Sequence, residues 1–497
     1  MPQKSTEDAL YTLIHRIQGL IERKKLVTLV SLDIEGAFDS AWWPAIRIRL
    51  AEEKCPVNIR RLLDSYLACR KVSVRFAGEE CTRSTNKGCV QGSIGGPILW
   101  NLLLDPLLRE LERMGVYVQA FADDVVMIFD GDTGLDVSRQ ANVALAYVQQ
   151  WGVRNKLKFA PHKTCTMVLT KKLKYDTPLL NMGGVSVGIS RDVKILGLTI
   201  DDRLTFKKHV SLQCRKVLDI YKQLSKAAKV DWGLHTDIIR IIYTATIKPI
   251  LMYASAVWAP AARRIDVRKL LDTVQRGFAQ KLCKSYRTVS LHSALVLAGL
   301  LPLDLRIQED VSLFWVKAHA GLPGNERADD LAKQAAVASK RKPDYDLCPI
   351  SYVKKLIRQT SLVAWNSRYK AGDTASVTKV FLPDAIEAYR FVRKAKPEGK
   401  LTQILTGHGG FSQYLYRFKC RENPSCVCEP NTSEDVMHLL VDCSAHASRR
   451  FDLEQQLGIN ITLDNLSELL TSKISTDEFT NYCIYICEIV NKRNKNS

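Results

Sequence analysis

Two apolar runs meeting at a pair of acids constrain this chain more than any other feature. Val116–Phe121 and Val125–Phe129 flank Asp123–Asp124 in the stretch VYVQAFADDVVMIFD. Both runs are rich in the β-branched and aromatic residues that favour strands. The simplest reading is a hairpin with both carboxylates at its turn. Adjacent carboxylates repel, so holding them at the tip of buried strands costs free energy unless a cation binds there. Neighbouring ligands that are all oxygen suit Mg²⁺. The plainer reading is a polar turn built on ordinary Asp turn chemistry. The dipeptide alone leaves both open.

A second apolar run, Val27–Ile34 (VTLVSLDI), carries Asp33 near its end and is followed by Glu35–Asp39 (EGAFD). If the two elements are neighbours in one sheet, Asp33 and Asp123 meet at one edge and hold a pair of metal ions. Such a pair activates a 3′-hydroxyl and stabilises a leaving pyrophosphate in phosphoryl transfer. Between them Gly88–Pro97 reads GCVQGSIGGP, a glycine-rich loop opening a helix, where backbone can approach a substrate closely.

The order DIEGAFD, QGSIGGP, FADD, Asn155–Lys163 (NKLKFAPHK) and Leu196–Gly197 resembles the palm of a reverse transcriptase. The subtype resembles the polymerase of non-LTR (type-1) retrotransposons, especially the class inserting into arthropod ribosomal DNA. The resemblance covers roughly the first 300 residues, and ordered elements at such spacing rarely coincide. It implies an RNA-directed DNA polymerase that extends a nicked-DNA 3′ end on element RNA, with two Mg²⁺ ions. The implied partners are an RNA template, a DNA primer or target and deoxynucleoside triphosphates, and the implied compartment is the nucleus. Asp33 and Asp123 become metal ligands, and Asp124 the third acid of the catalytic set. Phe38 becomes the aromatic that lies under the sugar and rejects a 2′-hydroxyl; core packing is its other reading. Gln91 and Gly92 line the nucleotide and template. Lys163 becomes the group that protonates departing pyrophosphate; a solvated lysine is its other reading.

Composition agrees with a polyanion partner. Lys+Arg number 72 against 52 Asp+Glu, for a net charge of +20, and such an excess binds phosphates by counterion release. A membrane surface also attracts cations, but no amphipathic basic anchor and no long apolar span is seen; the longest candidate, Ile247–Pro260, is short and contains Pro249. Met1–Asp8 is polar and acidic, unlike a signal peptide. The 14 cysteines are scattered through helix and strand patterns, which argues for free thiols in a reducing compartment.

Taken in order, Ser5 and Asp8 form a capping pair ahead of Leu10, Leu13, Ile14, Ile17 and Ile21 at helical spacing. In the resembled family the fingers lie mostly upstream of this point, so the sequence reads as a fragment. Helices are expected at Trp42–Lys54, Asn58–Cys69, Pro97–Met114 and Asp136–Trp151, a hairpin from Lys71–Phe76 turning at Gly78, and a strand at Thr164–Leu169. From Leu204 to Arg306 the pattern is helical, and Lys207, Lys208, Arg215, Lys216, Lys222 and Lys226 make one helix strongly basic. This resembles a thumb gripping a product duplex through its backbone; a solvated face is the alternative.

Phe314–Ala332 (FWVKAHAGLPGNERADDLA) resembles the C-terminal strand, loop and helix of ribonuclease H, with His319, Asn325 and Asp329 at the family's histidine, asparagine and last acidic ligand. The carboxylates that chemistry needs on earlier strands are missing upstream. The expectation is a remnant joined near Asp310–Ser312, without ribonuclease H activity, leaving Leu313–Lys317 an orphaned or poorly docked strand unless flanking helices cover it. Val337–Pro349 reads as a linker, and Ile350–Lys396 as further basic helices.

Cys426-x-Cys428, nine residues, His438, four residues and Cys443 supply three thiolates and an imidazole, a set that fits tetrahedral structural Zn²⁺. The resembled retroelements carry a CCHC knuckle there, preceded by a stretch like Thr406–Lys419. Cys420 is a spare ligand, Cys483 and Cys487 lie on an apolar helical face, and unpaired core cysteines remain the plain alternative.

The expected fold is α+β and multidomain: partial fingers and palm (1–200), with an antiparallel sheet and helices; helical thumb or connection (201–310); ribonuclease H remnant (311–340); basic helical region (341–419); zinc knuckle (420–450); and C-terminal helices with a basic tail (451–497). The functional alternatives are a catalytically impaired module that only binds nucleic acid and a non-functional transposon remnant.

Overall fold

A computed structural model describes residues 5–90, 92–228, 233–318, 350–397, 399–472 and 474–495. The chain forms two compact units, Met1–His209 and Val210–Ser497.

The first unit is built on a four-stranded antiparallel sheet. Helix α1 (Thr6–Glu22) starts with a capping box in which the Ser5 hydroxyl accepts from the Asp8 N–H and the Asp8 carboxylate accepts from the Ser5 N–H. Its expected stripe, Leu10, Leu13, Ile14, Ile17 and Ile21, is buried. Then come β1 (Leu26–Leu32), the short α2 (Ala37–Ser40), α3 (Trp43–Glu52), α4 (Val57–Leu67) and an exposed hairpin, β2 (Lys71–Phe76) with β3 (Glu79–Ser84). Helix α5 (Gly95–Arg113) leads into the hairpin β4 (Tyr117–Phe121) and β5 (Asp124–Gly131). Helix α6 (Gly134–Asn155) and β6 (Cys165–Leu169) follow, and two small two-stranded pieces, β7 (Asn181–Met182) with β8 (Val185–Ser186) and β9 (Asp192–Ile195) with β10 (Leu198–Asp201), close the unit.

The sheet order is β4-β5-β1-β6. Strand β1 lies inside it, paired to β5 from Leu26↔Gly131 to Leu32↔Val125 and to β6 from Val27↔Leu169 to Ser31↔Cys165. A strand paired on both sides and covered by helices reads as a continuous apolar run, which is why Val27–Ile34 lacks alternation. Trp100, Leu103, Leu107 and Leu111 of α5 and Ala141, Ala144, Leu145 and Val148 of α6 pack into the same core as Leu26, Val30, Met127 and Phe129. Burying each such aliphatic side chain contributes about 1.5–3 kcal/mol.

The second unit is helical. From Val210 it takes up helix α7 (Lys207–Ala227), which buries Val210, Cys214, Val217 and Leu224. Helices α8 (Thr236–Ile242) and α9 (Lys248–Met252) are joined by a π-helical turn, Tyr243–Ile247. Pro249 explains the widening: it has no N–H for the carbonyl four residues back and its ring crowds that carbonyl. After α10 (Ser255–Trp258), α11 (Ile265–Leu282), α12 (Leu291–Ala298) and α13 (Leu303–Ala318) stack together. Helices at Ile350–Ala371, Ser376–Phe381, Ala385–Ala395, Lys400–Thr406 and Thr476–Lys495 complete the main body. Trp365 and Tyr369 are fully buried in it, as are Cys483 and Cys487. No single helix among the described residues is long and apolar enough to cross a membrane. The bent pair Thr236–Met252 and Ser255–Arg263 meets that test by length and composition, but buries Ile239, Tyr243, Ile247, Leu251 and Trp258 inside the protein.

The strand expected over Leu313–Lys317 is not there: the backbone is helical from Leu303 through Ala318. Extending an existing helix adds a hydrogen bond for each residue fixed, whereas a lone strand leaves its backbone groups unpaired. The same helix runs through Asp310–Ser312, with Asp310 accepting from the Ser255 hydroxyl at 3.0 Å. The linker expected over Val337–Pro349, and His319, Asn325 and Asp329, lie outside the described residues.

Candidate active site and metal centre

The acids converge through strand register. Asp33 directly follows β1, and Asp124 opens β5, where it pairs with Phe121 across the hairpin. Since Leu32 faces Val125, the next register position sets Asp33 opposite Asp124. Asp123 occupies the hairpin turn with Ala122, whose φ of 55° is left-handed. An alanine there costs about 1–3 kcal/mol, so surrounding contacts must impose it. One is plain: the buried Trp100 indole donates to the Ala122 carbonyl at 2.7 Å.

Asp33, Asp123 and Asp124 interact electrostatically. Partial burial, then the charges of Asp123 and Asp33, push the Asp124 carboxyl above its ordinary range, while Lys194 on β9 opposes them. The Lys163 amine lies 3.8 Å from an Asp33 carboxylate oxygen, both side chains being about half exposed at 57% and 43%. Leu196 and Gly197 form the turn between β9 and β10, both with positive φ, and Leu196 lines a small crevice with Asp124 and Phe121. Lys194 and Trp100 were not singled out from sequence. For Lys194 the signal is its place just before Leu196–Gly197; for Trp100 there is none beyond an aromatic on an apolar helix.

Phe38 lies on α2, half-buried, its ring centroid 5.3 Å from that of Trp100. It lines a largely apolar cavity of about 870 Å³ that also touches Trp100, Phe121 and Ala122. The glycine loop is tied to this segment. The Cys89 N–H donates to the Phe38 carbonyl at 2.7 Å, the Gly88 N–H to Ala41 at 2.8 Å, and the Trp43 indole to Gly88 at 2.9 Å. Gly92 has a φ of 81°, a conformation that suits glycine, with open space where a side chain would be. A Cβ on Gly96 would lie 2.9 Å from the Val90 carbonyl, so the loop closes on the start of α5 only with glycine there. Gln91 lies outside the described residues.

In the second unit, Cys426, Cys428, His438 and Cys443 offer donor atoms all within 4.8 Å of one another, the one such group of three or more metal-ligating side chains among the described residues. Cys426 and Cys443 sulfurs are 3.7 Å apart, and the Cys428 sulfur is 3.1 Å from His438 Nε2. A tetrahedral ion with metal–sulfur bonds of about 2.3 Å implies a sulfur–sulfur edge of about 3.8 Å. Burial pushes the Cys426 thiol up to about 12, a preference that a coordinated cation reverses. Asp435 caps the helix Val436–Val441 by accepting from the His438 N–H at 2.9 Å. This donor set can hold a metal ion. Cys420 is exposed and outside the group.

The basic helix α7 has Arg215, Lys216, Lys222 and Lys226 exposed along the side opposite its buried stripe. Lys208 is tied to Asp192 at 2.6 Å and Lys222 to Asp219 at 2.9 Å.

The model of the family "Reverse transcriptase (RNA-dependent DNA polymerase)" matches residues 1–200, and that of RNase H matches residues 295–337. The chain is similar to the retrovirus-related Pol polyprotein from type-1 retrotransposable element R1 2 of Nasonia vitripennis, 28% identical over 82% of this chain and 95% of that protein. It is similar to the corresponding R1 polyprotein of Bradysia coprophila, 27% identical over 90% of this chain and 43% of that protein, so it spans less than half of the longer relative. The probable RNA-directed DNA polymerase from transposon BS of Drosophila melanogaster is 26% identical over 52% of this chain and 29% of that protein. Residues 1–200 thus match the reverse transcriptase family, and over most of its length the chain is similar to type-1 retrotransposon Pol polyproteins.

Proposed function

We propose that this chain synthesises DNA on an RNA template by two-metal nucleotidyl transfer at the edge of the sheet that carries Asp33, Asp123 and Asp124. The observation that supports this reading is the register that brings the end of β1 beside the start of β5, so that acids distant in sequence share one edge. Bound Mg²⁺ lowers the pKa of a primer 3′-hydroxyl and neutralises charge on the leaving group. Asp33 and Asp123 serve as its ligands, and Asp124 adds negative charge beside them. The 3′-hydroxyl gives up its proton to solvent, its oxygen attacks the α-phosphorus as the bond to the oxygen bridging to the β-phosphate breaks, and Lys163 gives a proton to the departing pyrophosphate. Phe38 lies under the sugar, and Gln91 and Gly92 line the nucleotide and template. Residues 1–200 act as palm with part of the fingers, and 201–310 as thumb or connection, where Arg215, Lys216 and Lys226 hold the duplex backbone. The primer is the 3′ end of a nicked target, as in target-primed reverse transcription, and the nucleus is the site of action.

The Cys426, Cys428, His438 and Cys443 group holds a structural Zn²⁺. Ribonuclease H cleavage is absent in this reading, because the metal-binding carboxylates of earlier strands have no counterpart ahead of Asp329. The second reading is a module that holds nucleic acid without chemistry; the basic face of α7 and the Cys/His group favour it independently of the acids. Primer extension on an RNA template with Mg²⁺ and deoxynucleotides separates the two. Incorporation abolished by Asp123→Asn supports the polymerase. RNA retention by the parent chain without incorporation supports the module and rejects the polymerase.

A further inference from the structure

A second large cleft, in the helical unit, lies far along the chain from the acids. It has a volume of about 940 Å³ and is lined by segments around Thr288, Asp373–Val377, Thr406–His408, Gln413–Arg417 and Ser433–Met437. We propose that this cleft binds an unpaired stretch of polynucleotide, with bases stacked on Tyr414 and Tyr416 and a backbone phosphate held by Arg417.

Three observations carry the proposal. The first is the rim. Tyr416 and Arg417 line the cleft and Phe418 and Lys419 follow them in the chain; all four are exposed, Tyr416 and Phe418 at 50% and 44%, and the Arg417 guanidinium lies 6.0 Å from the Phe418 ring centroid. Exposed aromatics alternating with cations stack bases and grip the phosphates between them, whatever the base sequence. The aromatic surface continues inward: Tyr414 packs against Phe418 at 4.9 Å and against His408 at 4.9 Å.

The second is a relay at the floor. The Thr288 hydroxyl is 2.9 Å from His408 Nδ1 and 2.6 Å from the Tyr414 hydroxyl. Burial, with Arg417 and Arg276 nearby, keeps the imidazole neutral, its pKa pushed down to about 4. Run one way, Tyr414 donates to Thr288, Thr288 to Nδ1, and the ring proton sits on Nε2. Run the other way, Nδ1 donates, and the Tyr414 proton is left to give elsewhere. A relay that reverses suits base edges of either polarity, and single-strand readers meet such edges because the bases are unpaired.

The third is the wall. Ser433, Asp435, Val436 and Met437 lie between Cys428 and His438, so the element that carries the Cys/His group forms one side of the cleft. A metal held by those four side chains would fix that side in place. Asp373 and Asp435 repel phosphate but accept from exocyclic amines, which directs the backbone toward Arg417.

The test is fluorescence anisotropy of the full chain with a labelled single-stranded oligoribonucleotide, its deoxy counterpart and the blunt duplex, comparing the parent with the Tyr416→Ala/Arg417→Ala double variant. Both side chains are exposed, so folding is not at issue, and primer extension on a preformed hybrid reads the acid site separately. The expected result is a loss of about tenfold in affinity for single strands with duplex binding unchanged. Loss on the ribo strand alone would assign the hydroxyl lining a role at the 2′-hydroxyl; loss on both would leave stacking and phosphate as the whole of the binding. Photocrosslinks from a 4-thiouridine oligonucleotide are expected within 412–418. Unchanged single-strand affinity, equal loss on the duplex, or crosslinks confined to other segments would overturn the proposal.

Discussion

The Trp100 indole N–H and the Ala122 carbonyl are joined at 2.7 Å, and Ala122 is the residue immediately before Asp123. A helix that is fully buried at this point therefore sets the backbone of the acidic turn. The turn needs that support, because Ala122 has a left-handed φ of 55° without being glycine.

Trp100→Phe keeps an aromatic beside Phe38 but removes the donor. The lost hydrogen bond is expected to cost about 1 kcal/mol of stability, which thermal denaturation reads. Primer extension is expected to fall further, by about tenfold, since displacing a catalytic group by a fraction of an ångström weakens the chemical step. An extension rate that falls only as far as stability does would remove Trp100 from the positioning of Asp123.

Phe38 is held between the Trp100 ring and the glycine loop that donates to its carbonyl. If its ring sets the floor under the sugar, Phe38→Ala raises the ratio of ribonucleotide to deoxynucleotide incorporation by about tenfold or more, a change of about 1.4 kcal/mol in discrimination. A side chain that only fills the core would slow both substrates equally. Parallel extension assays with the two nucleotide sets distinguish these outcomes.

The scaffold was legible wherever burial is periodic or continuous. The stripe of α1 and the unbroken apolar run of β1 name their own elements, the hairpin of Val72, Val74 and Phe76 was legible by alternation although all three are exposed, and the adjacent acids and the Cys/His spacing stand out by residue type. What could not be read were relationships closed by folding. Nothing near Ala122 announces the Trp100 donor, and nothing near Thr288 announces His408, residues that meet only in the fold. The strand expected over Leu313–Lys317 failed for a related reason: its apolar content suits either element, and the helix begun at Leu303 decided it.

Arg368 and Asp304 form a bidentate pair at 2.8 and 2.7 Å, with the carboxylate only 5% exposed. Arg368→Met strands that carboxylate, and denaturant unfolding is expected to show a loss of about 3 kcal/mol. Adding Asp304→Leu is expected to recover most of it, because an apolar pair of similar volume needs no desolvation of charge. A double variant as unstable as the single one would mean that packing, not the stranded charge, sets the cost.

Asp272 gives a pH test. Burial, then the neighbouring Asp304, push its carboxyl up to about 6, against opposition from Arg268 and Arg368. The folded state therefore holds this proton more tightly than the unfolded state. Its contribution to stability is fully present below about pH 4 and is lost as pH rises through 6. Asp272→Asn removes the penalty of the buried charge, so it is expected to stabilise the protein at pH 7 by roughly 1–2 kcal/mol after solvent screening. The gain should vanish near pH 4. Melting curves at the two pH values check both the sign and the window.

The Cys/His group makes the sharpest prediction about composition. The 3.7 Å separation of the Cys426 and Cys443 sulfurs matches the edge of a tetrahedral zinc site, and Asp435 caps the short helix that presents His438. Metal analysis of the purified chain is expected to find one zinc equivalent, lost in Cys428→Ser and retained in Cys420→Ser, whose sulfur lies outside the group. Asp435→Ala is expected to weaken zinc binding without abolishing it, because losing a cap costs about 1 kcal/mol and loosens one ligand of four. A chain without zinc, or a Cys428→Ser variant that keeps it, would return these residues to the status of buried thiols beside a histidine.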